Sequence, residues 1–426
     1  MRRKKIKYLM VLVAIMAAIP NLAEAQTLIS SPYSRYGIGN VNLFNNAINN
    51  AMGGVGYAFK RNNSVNYMNP ASYAGVDTTS LVFDIGFYTE WLTLSTNEYK
   101  SKGNNTNLSH ILLAFPVGNK FKLALGLLPM STVNFTTSET IIDTSVGTHE
   151  KTYTGDGGLN KAIFGLAYSP IKNLSIGANF EYIFGNYYKA SSISFPDSSY
   201  MFSSRVENNY HVKAFNINFG LQYFRPLKNG DNIGIGIVYA PPIKLPTDNV
   251  LSRYTYTTTA AIDYLQDSVL DENSTNSIKY PSTIGVGFSY ERPNKFFVGL
   301  DGKYVSWSDF LFQSDVANTN LVNNFKVSIG GEWKPNAYGN FFQKSVYRIG
   351  FSFDNGMLEL YNTRIQQIGI SCGAGFPIKK SNTMINLSLE YLKRGTTDNN
   401  LIKEDYFRIG LSFSAKDLWF FQRKYQ

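Results

Sequence analysis

The sequence predicts an all-β chain, a transmembrane antiparallel β-barrel of about fourteen strands with an N-terminal hatch, or plug, inside its lumen. Three observations carry that reading. Apolar and polar residues alternate along most of the chain, with heavy aromatic weight. Short turns alternate with long polar loops. The chain opens on a pattern typical of exported proteins.

Residues 1–25 read as a signal peptide. Arg2, Arg3, Lys4, Lys5 and Lys7 form a positive start, Tyr8 to Ile19 an apolar stretch, and Ala23-Glu24-Ala25 a small-residue cleavage site. The expected mature start is Gln26. The apolar stretch is short for a membrane helix, and no later stretch reaches the roughly 18 apolar residues a spanning helix needs. A chain that crosses a bilayer without helices crosses it as strands.

Formal net charge is +10. The first 25 residues hold five positives and one negative, so about +6 is left for the rest. That excess is dispersed over turns (Lys120, Lys172, Arg225, Lys228, Lys295, Lys379, Lys380), and no basic block points to nucleic acid. Mean hydropathy is −0.17, which suits a barrel with polar lumen and loops and not a helical membrane protein. The single cysteine, Cys372, shares a face with Ile368 and Ile370 and reads as a buried or lipid-facing structural thiol.

Residues 26–78 do not alternate. They are rich in Asn, Ser, Gly and Tyr and read as a compact hatch segment preceding a barrel at 79–418 and an aromatic-basic tail at 419–426. From Leu81 strands are expected in pairs joined by short turns at 116–120, 169–173, 225–232, 291–295, 334–344 and 377–383, where Pro, Asn and Gly cluster. Long polar loops are expected near 97–106, 135–152, 190–206, 245–278, 309–319, 355–364 and 395–403. In outer-membrane barrels the short turns face the periplasm and the long loops the exterior.

The faces follow from the period of two. Leu174, Ile176, Ala178, Phe180 and Tyr182 oppose Ser175, Gly177, Asn179 and Glu181. Tyr347, Ile349, Phe351 and Phe353 oppose Arg348, Gly350, Ser352 and Asp354; Ile385 to Tyr391 and Phe407 to Phe413 repeat the pattern. A wet lumen would accept arginine at Asn179 or Ser388, whereas the lipid face would reject it at Phe180 or Leu387. Two early stretches break the rule. Ile111-Leu112-Leu113-Ala114-Phe115 is apolar on both faces, and so is Leu125-Gly126-Leu127-Leu128-Pro129-Met130, whose Pro129 cannot donate to a ladder. A proline in mid-strand implies a bulge, an edge or a gap, and together the two stretches predict an interior made partly apolar near an interrupted strand.

Chemistry-bearing constellations are few, and the chain reads as a non-enzyme with no catalytic residue, no metal site and no cofactor. The histidines are His110, His149 and His211. Ser109-His110 is a weak dyad, because neighbours in a regular strand face opposite sides. No His/Cys/carboxylate spacing suits zinc. Gly53-Gly54-Val55-Gly56 lacks the leading strand and closing lysine of a nucleotide loop.

The most informative segment is Ala51-Met52-Gly53-Gly54-Val55-Gly56-Tyr57-Ala58 followed by Asn66-Tyr67-Met68-Asn69-Pro70-Ala71-Ser72. With the stretch from Gly126 to Pro129, and Gly155-Asp156-Gly157-Gly158-Leu159-Asn160 leading into Phe164-Gly165-Leu166-Ala167-Tyr168, it resembles the long-chain fatty acid transporter family of outer-membrane proteins (FadL, OMPP1 and TodX-like). The resemblance implies a passive outer-membrane transporter of hydrophobic, fatty-acid-like small molecules, with outer-membrane lipid and such a ligand as partners. It places Gly53, Gly54, Gly56, Asn69, Pro70 and Ala71 in the hatch. It also makes Gly126 and Pro129 candidates for a lateral gap. Ligand-binding residues are not placed by any motif, and Ser31-Pro32-Tyr33-Ser34-Arg35-Tyr36-Gly37 departs from the characterised transporters. The Asn-, Lys- and Tyr-rich composition resembles Bacteroidota-type outer-membrane proteins. Members of the same fold in that group serve secretion machines, so the alternative is a PorV-like accessory or shuttle subunit with other outer-membrane proteins as partners.

Overall fold

The computed structural model describes residues 31–41, 45–144, 147–195, 201–259, 262–312, 320–379 and 381–419. The expected signal peptide, and all of the expected tail except Trp419, lie outside these residues. The barrel is closed and antiparallel, with fourteen strands. In chain order they are β1 Ser80–Ser95, β2 Lys100–Pro116, β3 Phe121–Asp143, β4 Gly147–Tyr168, β5 Leu174–Ser194 and β6 Ser203–Pro226. Next come β7, Asn232–Ala240 resuming as Ile243–Thr259, and β8, Ile262–Tyr280 resuming as Thr283–Arg292. The circuit finishes with β9 Phe296–Val305, β10 Asn324–Trp333, β11 Val346–Asp354, β12 Gln367–Pro377, β13 Met384–Arg394 and β14 Lys403–Leu418. The interruptions of β7 and β8 fall at Pro241-Pro242 and Pro281, which have no N–H for the ladder. β1 closes on β14 from Ser80↔Leu418 to Ser95↔Lys403.

The alternation sets the faces. Ile176, Phe180, Phe219, Phe288, Leu300, Ile329, Phe351, Ile370, Phe407 and Leu411 are all exposed on the outer wall, and Cys372 is exposed beside Ile370. Their neighbours Ser175, Asn179, Ser328, Ser352, Ser388 and Ser412 are buried inside. No described helix is long and apolar enough to cross a membrane; the strands do it.

The wall is lopsided. β3 to β6 run 21 to 24 residues each, while β10 to β13 run 9 to 11, about the length that crosses a bilayer. The expected loops at 97–106, 135–152, 190–206 and 245–278 are therefore mostly strand. The last pairs continuously from Ile243↔Tyr280 to Thr259↔Ile262, with two register shifts. These segments read as loops because both faces turn polar once a hairpin leaves the lipid; backbone pairing continues there without an apolar stripe.

The segment before β1 lies inside. It comprises a 3₁₀ turn at Pro32–Arg35, a two-residue strand Asn40–Val41, a one-turn helix α1 at Ala47–Asn50 and a 3₁₀ turn at Pro70–Gly75. Its first part meets an apolar core at the tall end of the barrel, where Tyr33 and Ile38 pack with Tyr187, Tyr210, Trp307, Phe312 and Leu358. Its last part packs Val65, Tyr73 and Val76 on Leu112, Ala114, Leu128 and Ile163. That contact explains why β2 and β3 are apolar on both faces: one meets lipid, the other meets the plug.

Candidate functional site: plug seat, relay and seam

The plug sits on a lane of small residues. A Cβ at Gly177 would lie 2.5 Å from the Pro70 carbonyl carbon and 2.6 Å from the Ala71 nitrogen. One at Gly220 would lie 2.7 Å from Pro70 Cδ, and one at Gly330 2.7 Å from the Met52 carbonyl carbon. Wall glycines here permit plug backbone to touch strand backbone. Gly53, at φ +69°, returns the contact, since a Cβ on it would meet the Phe351 carbonyl oxygen at 2.5 Å. Gly56 is pressed on Met68 in the same way.

Polar anchors complete the seat. Asp301 on β9 accepts from the Gly56 and Tyr57 backbone N–H groups at 2.7 and 2.8 Å. Asn69 caps the turn that follows it, its Oδ1 accepting from Ala71 N at 3.0 Å, and its amide donates to the carbonyls of Tyr57 at 2.8 Å and Leu221 at 3.2 Å. Gln222 also donates to Tyr57 O, at 2.9 Å, and the Tyr73 hydroxyl donates to Asn179 at 2.9 Å. Toward the short-turn end Arg61 bridges Glu291 (2.7 Å) and Glu332 (3.1 Å), and Arg348 joins Glu332 at 2.9 Å. Burial opposes the Arg61 charge, but Glu332 and Glu291 outweigh it and hold the guanidinium above its ordinary pKa. Asn69, Pro70 and Ala71 are each almost wholly buried. The lumen is thus packed, not wet, at Asn179 and at the fully buried Ser388, and the expected tolerance of arginine there is corrected.

Ser109 and His110 do share a face, against the expectation from a regular strand. β1 and β2 slip register there, Gly86 pairing with His110 and Phe87 with Leu108, so Ser109 is the extra residue of a bulge. The bulge aims both side chains inward. His110 Nδ1 lies 2.5 Å from Ser109 Oγ, and His110 Nε2 lies 3.0 Å from Asp84 Oδ1. Ser109 Oγ donates to the Asn45 carbonyl at 3.2 Å, while Asp84 Oδ2 accepts from Ser414 Oγ at 3.0 Å and from Val65 N at 3.4 Å. Asp84, Ser109 and His110 are 0% exposed. Sealed from any substrate, the chain of bonds ties plug to wall and is not a hydrolytic site. Gly86 leaves room for it, since a Cβ there would lie 2.5 Å from His110 Cε1.

Directly beyond this relay the ladder between β2 and β3 ends. β2 pairs with β3 only from Pro116↔Lys122 to Ile111↔Leu127. Gly126 lies within that ladder, opposite Leu112. Pro129 lies past its end; it pairs with Asn160 of β4, and the β3–β4 register slips between Pro129 and Ser131. Above Leu127 the plug takes the place of β2. Asn40–Val41 pairs with Thr132 and Ser131, and the Ser34 hydroxyl donates to Asn134 O at 2.9 Å and accepts from Asn134 N at 3.2 Å. Two cavities meet at this seam. One, of about 310 Å³, lies in the lumen among Lys161, Glu181, Lys303, Lys326 and Asp354. The other, of about 300 Å³, lies along the seam among Leu108, Leu127, Leu128 and Thr132. Pro129 lines both. The lumenal cavity is polar, while the tall-end apolar core is filled by its own side chains. Among the described residues no group of three or more His, Cys, Asp or Glu could hold a metal.

The family model that matches the chain is BamG, over residues 4–426. The chain belongs to the BamG family. No curated protein matches it in sequence. Among solved structures, the Pseudomonas putida toluene transporter TodX is similar, at 15% identity and a TM-score of 0.57 over 88% of this chain and 98% of that one. The CymD monoaromatic hydrocarbon channel is 15% identical, with a TM-score of 0.54 over 90% of this chain and all of CymD. A Pseudomonas aeruginosa FadL homologue is 12% identical, with a TM-score of 0.55 over 88% and 98%. At such identity the likeness shows the fold: this BamG-family chain is a FadL-like plugged barrel.

Neither the plug's glycine seat nor the paired carboxylates and arginines were singled out from the sequence. Alternating Gly on inward positions, as at Gly177, Gly330 and Gly350, was the available signal. The bulge at Ser109 left none.

Proposed function

We propose that this BamG-family barrel is a passive outer-membrane channel for small hydrophobic molecules, which leave sideways between β2 and β3. The observation that carries the reading is Pro129, which lines both the lumenal cavity and the seam groove. Leu108, Leu127 and Leu128 are the apolar part of the groove, beside Asn107, Ser131, Thr132 and Asn160. The plug around Gly53, Gly54, Gly56 and Asn69-Pro70-Ala71 blocks the axial route. The similar solved proteins named as toluene transporters and a monoaromatic hydrocarbon channel support the class of solute. The test is uptake of a labelled aromatic hydrocarbon and a labelled fatty acid by cells with and without the chain. No difference for either solute, with the barrel present and folded in the membrane, overturns the reading.

A second reading, a non-transporting subunit of an outer-membrane assembly, is favoured by two observations: the polar lumenal cavity and the outer mouth filled by apolar side chains. Mild-detergent purification separates the two. A stoichiometric complex with no uptake favours the subunit.

A further inference from the structure

The turn between β10 and β11 is unlike the others at its end of the barrel. It spans residues 334–345, whereas the turns 117–120, 169–173, 227–231, 293–295 and 378–383 are half as long or shorter. Its length is used to build something. A one-turn helix α2, Phe341–Lys344, is closed by a reciprocal cap: Asn340 Oδ1 accepts from Gln343 N at 3.1 Å, and Gln343 Oε1 accepts from Asn340 N at 3.0 Å. Asn336 N donates to Gln343 O at 2.9 Å, and the Tyr347 hydroxyl donates to Phe342 O at 3.1 Å, tying the turn to β11.

What the turn presents is aromatic. Phe342 is 67% exposed and Tyr338 94%. Phe341 stacks on Phe376 at 5.9 Å with planes 7° apart, and it meets Phe342 edge-on at 5.4 Å. Phe376 is the last outward residue of β12, and Trp333 and Tyr347, in contact at 6.1 Å, end the lipid-facing rows of β10 and β11. The exposed rings therefore continue the belt that already faces lipid. This turn and the neighbouring turn 378–383 carry Lys334, Lys344 and Lys379, and residues 334–345 and 378–383 contain no acidic residue.

We propose that this turn is a membrane foot that rests on the periplasmic leaflet beside the barrel, with Phe341 and Phe342 in the interface and the three lysines on anionic phospholipid headgroups. Aromatic rings settle at headgroup depth, and rings continuous with the belt have lipid as their nearest neighbour. Each lysine near an anionic surface adds roughly fivefold to partitioning at low salt. The proposal stands whether the barrel transports or not.

The test uses the full chain with Cys372→Ser and Phe342→Cys, nitroxide-labelled at position 342 and reconstituted in phosphatidylethanolamine/phosphatidylglycerol vesicles. Heat-modifiable migration checks that the barrel is folded. The expected result is that collisions with oxygen exceed those with a water-soluble nickel chelate. Replacing phosphatidylglycerol by phosphatidylcholine, or introducing Lys334→Glu, Lys344→Glu and Lys379→Glu together, should lower the oxygen-to-nickel ratio. A label open to the nickel chelate in anionic vesicles overturns the foot and leaves the patch to a protein partner. A buried label whose ratio ignores both lipid charge and the lysine reversal overturns the headgroup assignment.

Discussion

Valine at the plug seat offers a direct measure of how the lumen is sealed. A Cβ at Gly177 would stand 2.5 Å from the Pro70 carbonyl carbon, and one at Gly330 2.7 Å from the Met52 carbonyl carbon, where ordinary contact starts near 3.4 Å. Plug or wall must retreat by about 0.9 Å at Gly177, and by more than that at Gly330, where the Met52 carbonyl oxygen lies nearer still, before the two γ-methyls of valine are placed. Backbone cannot swing aside as a side chain can. Overpacking of this kind costs about 1–3 kcal/mol per site, which is roughly a fivefold to 150-fold fall in the ratio of seated to unseated plug. The two sites lie on β5 and β10, five strands apart, and touch different parts of the plug, so their costs should nearly add. Gly302→Val is the control: it faces outward and its Cβ meets nothing within 4 Å. Planar-bilayer conductance and sensitivity of cells to a large polar antibiotic read the outcome. Gly177→Val with Gly330→Val should leak while migrating in unboiled gels as a folded barrel, and Gly302→Val should not. A folded double variant as tight as the parent, or a control that leaks equally, refutes the seat.

The remaining predictions use other parts of the same structure. Arg61→Met leaves Glu291 without its partner and Glu332 with Arg348 alone, and should weaken plug retention by about 1–3 kcal/mol, read by the same leak assay; an unchanged seal would count against the bridge. Phe180→Arg should destabilise the barrel by roughly 2–4 kcal/mol in lipid, as measured by urea unfolding in vesicles. Asn179→Arg, one residue earlier, should instead leave barrel stability nearly intact and open the plug, because Asn179 binds Tyr73; equal loss of barrel stability at both positions would contradict the face assignment. Pro129→Val supplies an N–H beside the seam, and should lower uptake of an aromatic hydrocarbon without altering heat-modifiable migration; unchanged uptake would argue against sideways exit there.

Which parts of this were legible in the sequence follows from how local each constraint is. A half-lipid strand such as Leu174 to Tyr182 writes its faces into neighbouring residues, so wall and register could be read directly. The double-faced apolar run Ile111 to Phe115 signalled that something greasy lay inside, and the structure supplies it as Val65, Tyr73 and Val76. Strand length was hidden, because the hairpin above Ile243 and Tyr280 pairs in water and needs no apolar stripe. The bulge at Ser109 was hidden for another reason: one extra residue leaves composition unchanged yet reverses which face the following side chain meets. Partners such as Arg61 with Glu332, or Asp301 with Gly56, lie more than two hundred residues apart, and only closure of the barrel brings them together.

The plug's attachment constrains any transport this barrel performs. To pass along the axis, a solute would have to unseat backbone from the glycine lane, break the Asp301 and Asn69 anchors and part Arg61 from two carboxylates. Each step exposes polar groups that a hydrophobic solute cannot satisfy, so the solute would bring no binding energy to offset them. At the seam the cost is different. The β3 backbone above Leu127 is already served by Asn40, Val41 and Ser34 of the plug, so a gap beside β2 does not require breaking a β2–β3 ladder. A hydrophobic molecule leaving there would trade Leu108 and Leu127 for lipid and pass beside Asn107, Thr132 and Asn160 without having to part a β2–β3 ladder. On the proposed sideways exit, the plug contacts that block the axis are also the ones that satisfy the edge of β3 beyond its ladder with β2.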